Sequence, residues 1–206
     1  MKIICAGFPK TGSKSASTSL RKLGFKVADY IETVEYISAV WLRFLRGEAT
    51  IEDVLAEYDK NGFDANQDVP GNLKWEELYR ASPKGTKVIL TVRDSDDVWW
   101  GSWCRFMEQE IRRGSIGDFN FQAVMQYLMG FGYLGPKFTN MIDALNIAFL
   151  QHGFPEVIQG SLSVNRTITQ VTSAQFRFKQ HYRMHNTYIM NTVPKEDLLV
   201  WNVKVK

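Results

Sequence analysis

The stretch Ile3-Ile4-Cys5-Ala6-Gly7-Phe8-Pro9-Lys10-Thr11-Gly12-Ser13-Lys14-Ser15 decides the fold. Lys2–Ala6 is apolar and β-branched and reads as a strand. Gly7–Ser13 is a loop punctuated by glycine and proline, and Lys14–Leu23 is helix-compatible until Gly24 stops it. A glycine-bounded loop between a strand and a helix is built to cradle an anion. Glycines let the backbone approach closely and turn its N–H groups inward, and the helix N-terminus adds partial positive charge. A plain Gly/Pro turn is the bland alternative.

Outward from this unit, strands and helices alternate. Apolar residues at helical spacing (Val34, Ile37, Val40, Trp41, Phe44, Leu45) predict a helix, Gly47 interrupts it, and a second helix runs from Ile51 to about Tyr58. A short strand, FDANQDV, halted by Pro70, then a helix over KWEELYRA, then the apolar strand KVILTV follow. Val98–Arg113 reads as helix, as does a long segment from about Ser173 to Asn191, and LLVWNV reads as the last strand. Parallel strands need crossover helices, so the predicted class is α/β: a three-layer, mostly parallel sheet with helices on both faces, of the P-loop nucleotide-binding type.

With 206 residues, 45% of them hydrophobic, the chain forms a sizeable core and reads as one domain over residues 1–206. Lys plus Arg is 25 and Asp plus Glu is 22, a net +3, too mild for a dedicated nucleic-acid binder. Two cysteines, Cys5 and Cys104, cannot make a disulfide framework and fit a reducing compartment. No secretory apolar region opens the chain, so the expected location is the cytoplasm, with no membrane partner. His181 and His185 lie four apart on a helix, but only His152 remains as a third histidine and no metal motif surrounds them.

The triphosphatase pattern G-x-x-x-x-G-K-[ST] fits Gly7 and Gly12 but fails at Ser13, and Lys14 comes one residue late. One residue on a helix rotates a side chain by about 100°. A P-loop nucleotide or small-molecule kinase is therefore the alternative reading, with Asp94 as its magnesium ligand. A non-catalytic nucleotide-binding relative is a second alternative.

The string GFPKTGSKS followed by SLRKLGFKV resembles the opening of sulfotransferases, in the branch written G-x-P-[RK]-T-G-[ST]-x-S, and Asp68-Val69-Pro70 resembles that branch's D-x-P motif. The resemblance implies 3′-phosphoadenosine 5′-phosphosulfate as sulfonate donor, no metal, and a small, apolar hydroxyl acceptor. Lys10 would contact the bridging oxygen of the sulfonate and, with Thr11, Gly12, Ser13, Lys14 and Ser15, bind the 5′ end. Arg93 and Ser102 would hold the 3′-phosphate, although the family's serine stands eight residues after the arginine and here stands nine. Asp68 would be the general base, and Asp29, Glu32 and Asp64 are weaker candidates. Such enzymes continue through a Gly-Trp-containing segment beyond the last strand, so a domain lacking that segment is expected. The aromatic residues between Phe119 and Phe149 serve equally as helix core or as an acceptor pocket. A homodimer is the candidate assembly.

Overall fold

The computed structural model describes residues 1–114, 135–153 and 175–203. The elements are β1 (Ile3–Cys5), α1 (Ser13–Lys22), β2 (Val27–Ala28), α2 (Tyr30–Glu32), a π-helical turn (Thr33–Ile37), α3 (Ser38–Leu45), α4 (Ile51–Lys60) and β3 (Ala65–Asn66), followed by α5 (Trp75–Ala81), β4 (Lys87–Val92), α6 (Asp96–Gly114), α7 (Gly135–Gln151), α8 (Gln175–Thr192) and β5 (Leu198–Asn202). The strands form one sheet in the order β2-β3-β1-β4-β5, and each neighbouring pair is parallel. The α/β reading therefore holds.

Alternation along β1 divides the core between the two faces of the sheet. Ile3 and Cys5 pack with Val27, Ala65, Ile89 and Leu20 of α1. Ile4 and Ala6 join the larger cluster with Val88, Leu90, Trp41, Leu78, Trp99, Ala148 and Phe178. Parallel strands buried on both sides must be apolar throughout, and Val88, Ile89 and Leu90 meet that demand with exposures of 0%, 7% and 0%.

The turn signals mark real boundaries. Gly47, at a φ of 77°, separates α3 from α4, and Thr50 opens α4 through a capping box with Asp53. FDANQDV contributes only Ala65 and Asn66 to the ladder. Its partner β2 is itself two residues long, and the chain leaves the sheet where Asp68 takes a φ of 77°. Asp96 and Asp97 do not cap α6. Ser95 Oγ accepts from Val98 N, while Asp96 pairs with Arg183 and Asp97 with Lys179, tying α6 to α8. Of the aromatic-rich segment over residues 119–150, residues 119–134 lie outside the described ones and the rest is α7. No helix among the described residues is long and apolar enough to cross a membrane.

Candidate functional site

All strands run the same way, so the segments that follow them gather along one edge of the sheet. After β1 comes the loop Gly7–Gly12, after β2 Asp29, after β3 Asp68, after β4 Arg93 and after β5 Val203. Crevices at that edge are where open α/β sheets bind ligands.

The carbonyls from Ala6 to Lys10 are each held by a side chain. His185 Nε2 donates to Ala6 O at 2.7 Å, Asn72 Nδ2 to Gly7 O at 2.9 Å and Thr11 Oγ1 to Phe8 O at 2.6 Å. Trp99 Nε1 donates to Pro9 O at 2.9 Å and Arg93 Nε to Lys10 O at 3.0 Å. Five consecutive carbonyls are thus taken by five side chains, four from distant parts of the fold and one, Thr11, from the loop itself. A peptide whose C=O is drawn toward the protein directs the N–H of the next residue the other way, except that Pro9 has no N–H and Thr11 N bonds Phe8 O at 3.3 Å, so the start of α1 completes the anion nest. Lys10 sits at a φ of 71° and Gly12 at 113°, the left-handed conformations that such a nest requires.

The glycines are dictated by close approach. A Cβ on Gly7 would fall 1.9 Å from Thr91 Oγ1, and one on Gly12 would meet the Val203 side chain at 2.7–2.9 Å. Thr11 is fully buried and its hydroxyl also bonds Thr91 Oγ1 at 2.6 Å, anchoring the loop to β4. Gly12 begins α1 with no side-chain cap, and the amides of Ser13, Lys14 and Ser15 donate to no acceptor among the described residues. These orphan donors are what a bound oxyanion satisfies.

The side chains expected from the sequence are placed as follows. Lys10 Nζ lies over the ring of Phe106, 4.2 Å from its centroid. Lys14 Nζ is drawn away from the loop onto Asp29 Oδ2 at 3.0 Å. Asp68 Oδ1 accepts from Val69 N at 2.9 Å, and no donor among the described residues reaches Oδ2. Burial raises the Asp68 carboxyl above the usual carboxylate range, and the Asp29 charge adds to this, against the Val69 amide, Lys14 and Lys10. That direction suits a proton acceptor.

Arg93 does not pair with its acidic neighbours. Its Nε and Nη1 hold Lys10 O and Val203 O, each at 3.0 Å, and its backbone N–H donates to Tyr182 Oη. One N–H of Nη1 and both of Nη2 are left for a ligand. Asp94 accepts from Asn202 Nδ2. Ser102 Oγ bonds back to Val98 O at 3.1 Å and accepts from Arg105 Nη2 at 3.2 Å. On α6 it lies about 40° around the helix from Phe106, the residue beneath Lys10.

Sequence reasoning missed His185, Asn72 and Trp99 as supports of the loop. Each acts across 65 residues or more, so no local pattern marks it. The three histidines do converge: His152 and His185 have ring centroids 5.5 Å apart, and His181 abuts Gly153. Burial pushes His152 down to about 4 and His185 down to about 3, so both are neutral at neutral pH, His185 as the donor to Ala6 O and His152 packed against the rings of Phe8 and His185. No group of three or more His, Cys, Asp or Glu side chains among the described residues could hold a metal ion.

The family described as Sulfotransferase domain matches residues 2–205 of the chain. No curated protein matches it.

Proposed function

Because the chain belongs to the sulfotransferase family and is therefore a transferase, we propose that it moves a sulfonate from 3′-phosphoadenosine 5′-phosphosulfate to the hydroxyl of a small, apolar acceptor. The observation that carries this reading is the loop whose five carbonyls are all held outward, beside a helix start with unsatisfied amides. A terminal phosphosulfate is the kind of oxyanion that fits such a nest.

In this reading the amides of Ser13, Lys14 and Ser15 bind the 5′ end, Thr11 N being bonded to Phe8 O. The bound donor supplies an electrophilic sulfur. Lys10 neutralises the negative charge that grows on the oxygen linking sulfur to the departing nucleotide, more in the transition state than before it. Asp68 accepts the acceptor's proton as the new S–O bond forms and the old one breaks. The unbonded N–H groups of Arg93, with Ser102 of α6, hold the 3′-phosphate, a task for which a guanidinium is well shaped.

Calorimetric titration with 3′-phosphoadenosine 5′-phosphate, beside ATP with magnesium and beside ADP, tests the proposal. Selective micromolar binding of the bisphosphate supports it. Preference for magnesium-ATP favours a kinase, and binding of no nucleotide overturns both.

A further inference from the structure

The reaction as proposed makes no use of Asp29, yet its surroundings are the most constrained of any carboxylate on the site edge. Its side chain is only 5% exposed and both oxygens are engaged, Oδ1 by Tyr30 N at 2.8 Å and Oδ2 by Lys14 Nζ at 3.0 Å. Its own amide donates to Glu32, which fixes the backbone at this corner. Lys14, by contrast, is 74% exposed and hangs on a flexible stem from the first turn of α1.

The register brings Asp29 close to Asp68. Ala28 pairs with Asn66, and Gln67 N donates to Ala28 O at 2.8 Å, so Asp29 and Asp68 leave the sheet on adjacent strands, which run about 4.8 Å apart. Three charged groups bear on Asp68: Lys14 from α1, Lys10 from the loop and Asp29 from the end of β2. Oδ2 of Asp68 lacks a donor among the described residues, and Lys14, whose charge acts on Asp68, is bonded to Asp29 instead.

We propose that Asp29 is a positioning residue for the reaction: by holding the Lys14 ammonium on its own carboxylate, it keeps that cation from closing onto Asp68 and leaves Asp68 able to accept a proton. The inference rests on the reading of Asp68 as the base. An ammonium bonded directly to Asp68 would take up an acceptor position beside the incoming proton and would favour the ionised form, weakening Asp68 as a proton acceptor. Asp29 also contributes a like charge that opposes ionisation of Asp68, in the direction its carboxyl is shifted.

The test uses the ligand-free full chain and follows the Asp68 carboxyl carbon by NMR during a pH titration, its resonance assigned by its absence in Asp68→Asn. Asn at position 29 keeps an oxygen for Tyr30 N, so Asp29→Asn preserves the start of α2. In this variant the Asp68 midpoint should move down by about one pH unit. Lys14→Met alone should move it up, and Asp29→Asn with Lys14→Met should return it toward the unmodified protein. A midpoint that is unchanged or raised in Asp29→Asn overturns the proposal, as does a double variant that stays with Asp29→Asn. Lys14→Met gives an independent reading should Asp29→Asn fail to fold, and a midpoint that does not rise there also overturns it. Transfer from labelled donor to a panel of simple phenols and alcohols, measured in Asp68→Asn, separates the two readings. Retained transfer removes Asp68 as the base whatever the titration shows, and lost transfer with an unresponsive midpoint removes Asp29 alone.

Discussion

Arg93 Nε donates to the backbone carbonyl of Lys10 at 3.0 Å, so the residue expected to hold one end of the nucleotide also shapes the loop that holds the other. Arg93→Ala should weaken adenosine 5′-monophosphate several-fold through the loop and 3′-phosphoadenosine 5′-phosphate by about a further tenfold through the lost 3′ contact, the usual scale for a charge-assisted bond. Titration of both nucleotides measures the two effects. Equal losses would leave Arg93 as a loop support only.

Lys10→Ala tests the transition-state role. With any acceptor that is turned over, kcat should fall by roughly 10²–10³, while affinity for 3′-phosphoadenosine 5′-phosphate changes far less. A loss confined to binding would place Lys10 in ground-state recognition.

Trp99→Phe keeps the ring that stacks 4.6 Å from Tyr182 but removes the donor to Pro9 O. Leaving that carbonyl without its donor should cost roughly 1–3 kcal/mol in urea unfolding and weaken nucleotide binding in parallel. Stability lost without any effect on binding would show that the loop keeps its form on its other four supports.

Gly12→Ala places a Cβ at a φ of 113° and against Val203 at 2.7–2.9 Å. Strain and overpacking together should lower stability by roughly 1–3 kcal/mol. Thermal unfolding is the measurement, and an unchanged midpoint would mean that the chain beyond β5 yields at no cost.

The buried histidines predict a pH dependence with a definite sign. In the unfolded chain both titrate near the ordinary value of 6.5, whereas in the fold burial holds His152 at about 4 and His185 at about 3. Between these values and 6.5 the unfolded chain binds protons that the folded one does not, so stability rises with pH across this window and is lost as pH falls through it, by up to about 1.4 kcal/mol per unit for each group. Asp68 works in the opposite direction, since its raised carboxyl takes up a proton first in the fold and offsets part of the loss. Urea unfolding free energies measured from about pH 6.5 down to about 4.5 should decline, and His185→Gln, which keeps an N–H for Ala6 O, should flatten the decline.

Gly7, Lys10 and Gly12 announce the cradle from sequence alone because the glycine requirement and the strand-loop-helix order are local. Asp68 was legible as a strand end before Pro70, though the strand itself is two residues rather than seven, since both β1 and β2 pair only with Ala65 and Asn66 and Asp68 turns out of the sheet at a φ of 77°. Ser13 stands where the triphosphatase pattern has lysine, a departure visible in the sequence, whereas the bond of Lys14 to Asp29 is not, since the pair is made by packing α1 against the end of β2. Arg93 was recognised as a cation at a strand end. Its actual acceptors, two backbone carbonyls, carry no sequence signature, and the same holds for the donors His185, Asn72 and Trp99.

The supports of the loop span almost the whole chain, and the contact of His185 with Ala6 alone closes 179 positions. Contacts so distant in sequence form slowly, because the closure entropy of long loops is met before they stabilise anything. During synthesis the first strand and its glycines emerge from the ribosome early, but the nest has no rigid shape until α8 has been made and β5 has brought Val203 to Gly12 and Arg93. The cradle therefore takes shape only once α8 and β5 have been made, and a nascent chain cut short before α8 would leave the ribosome with the motif intact and the cradle unmade.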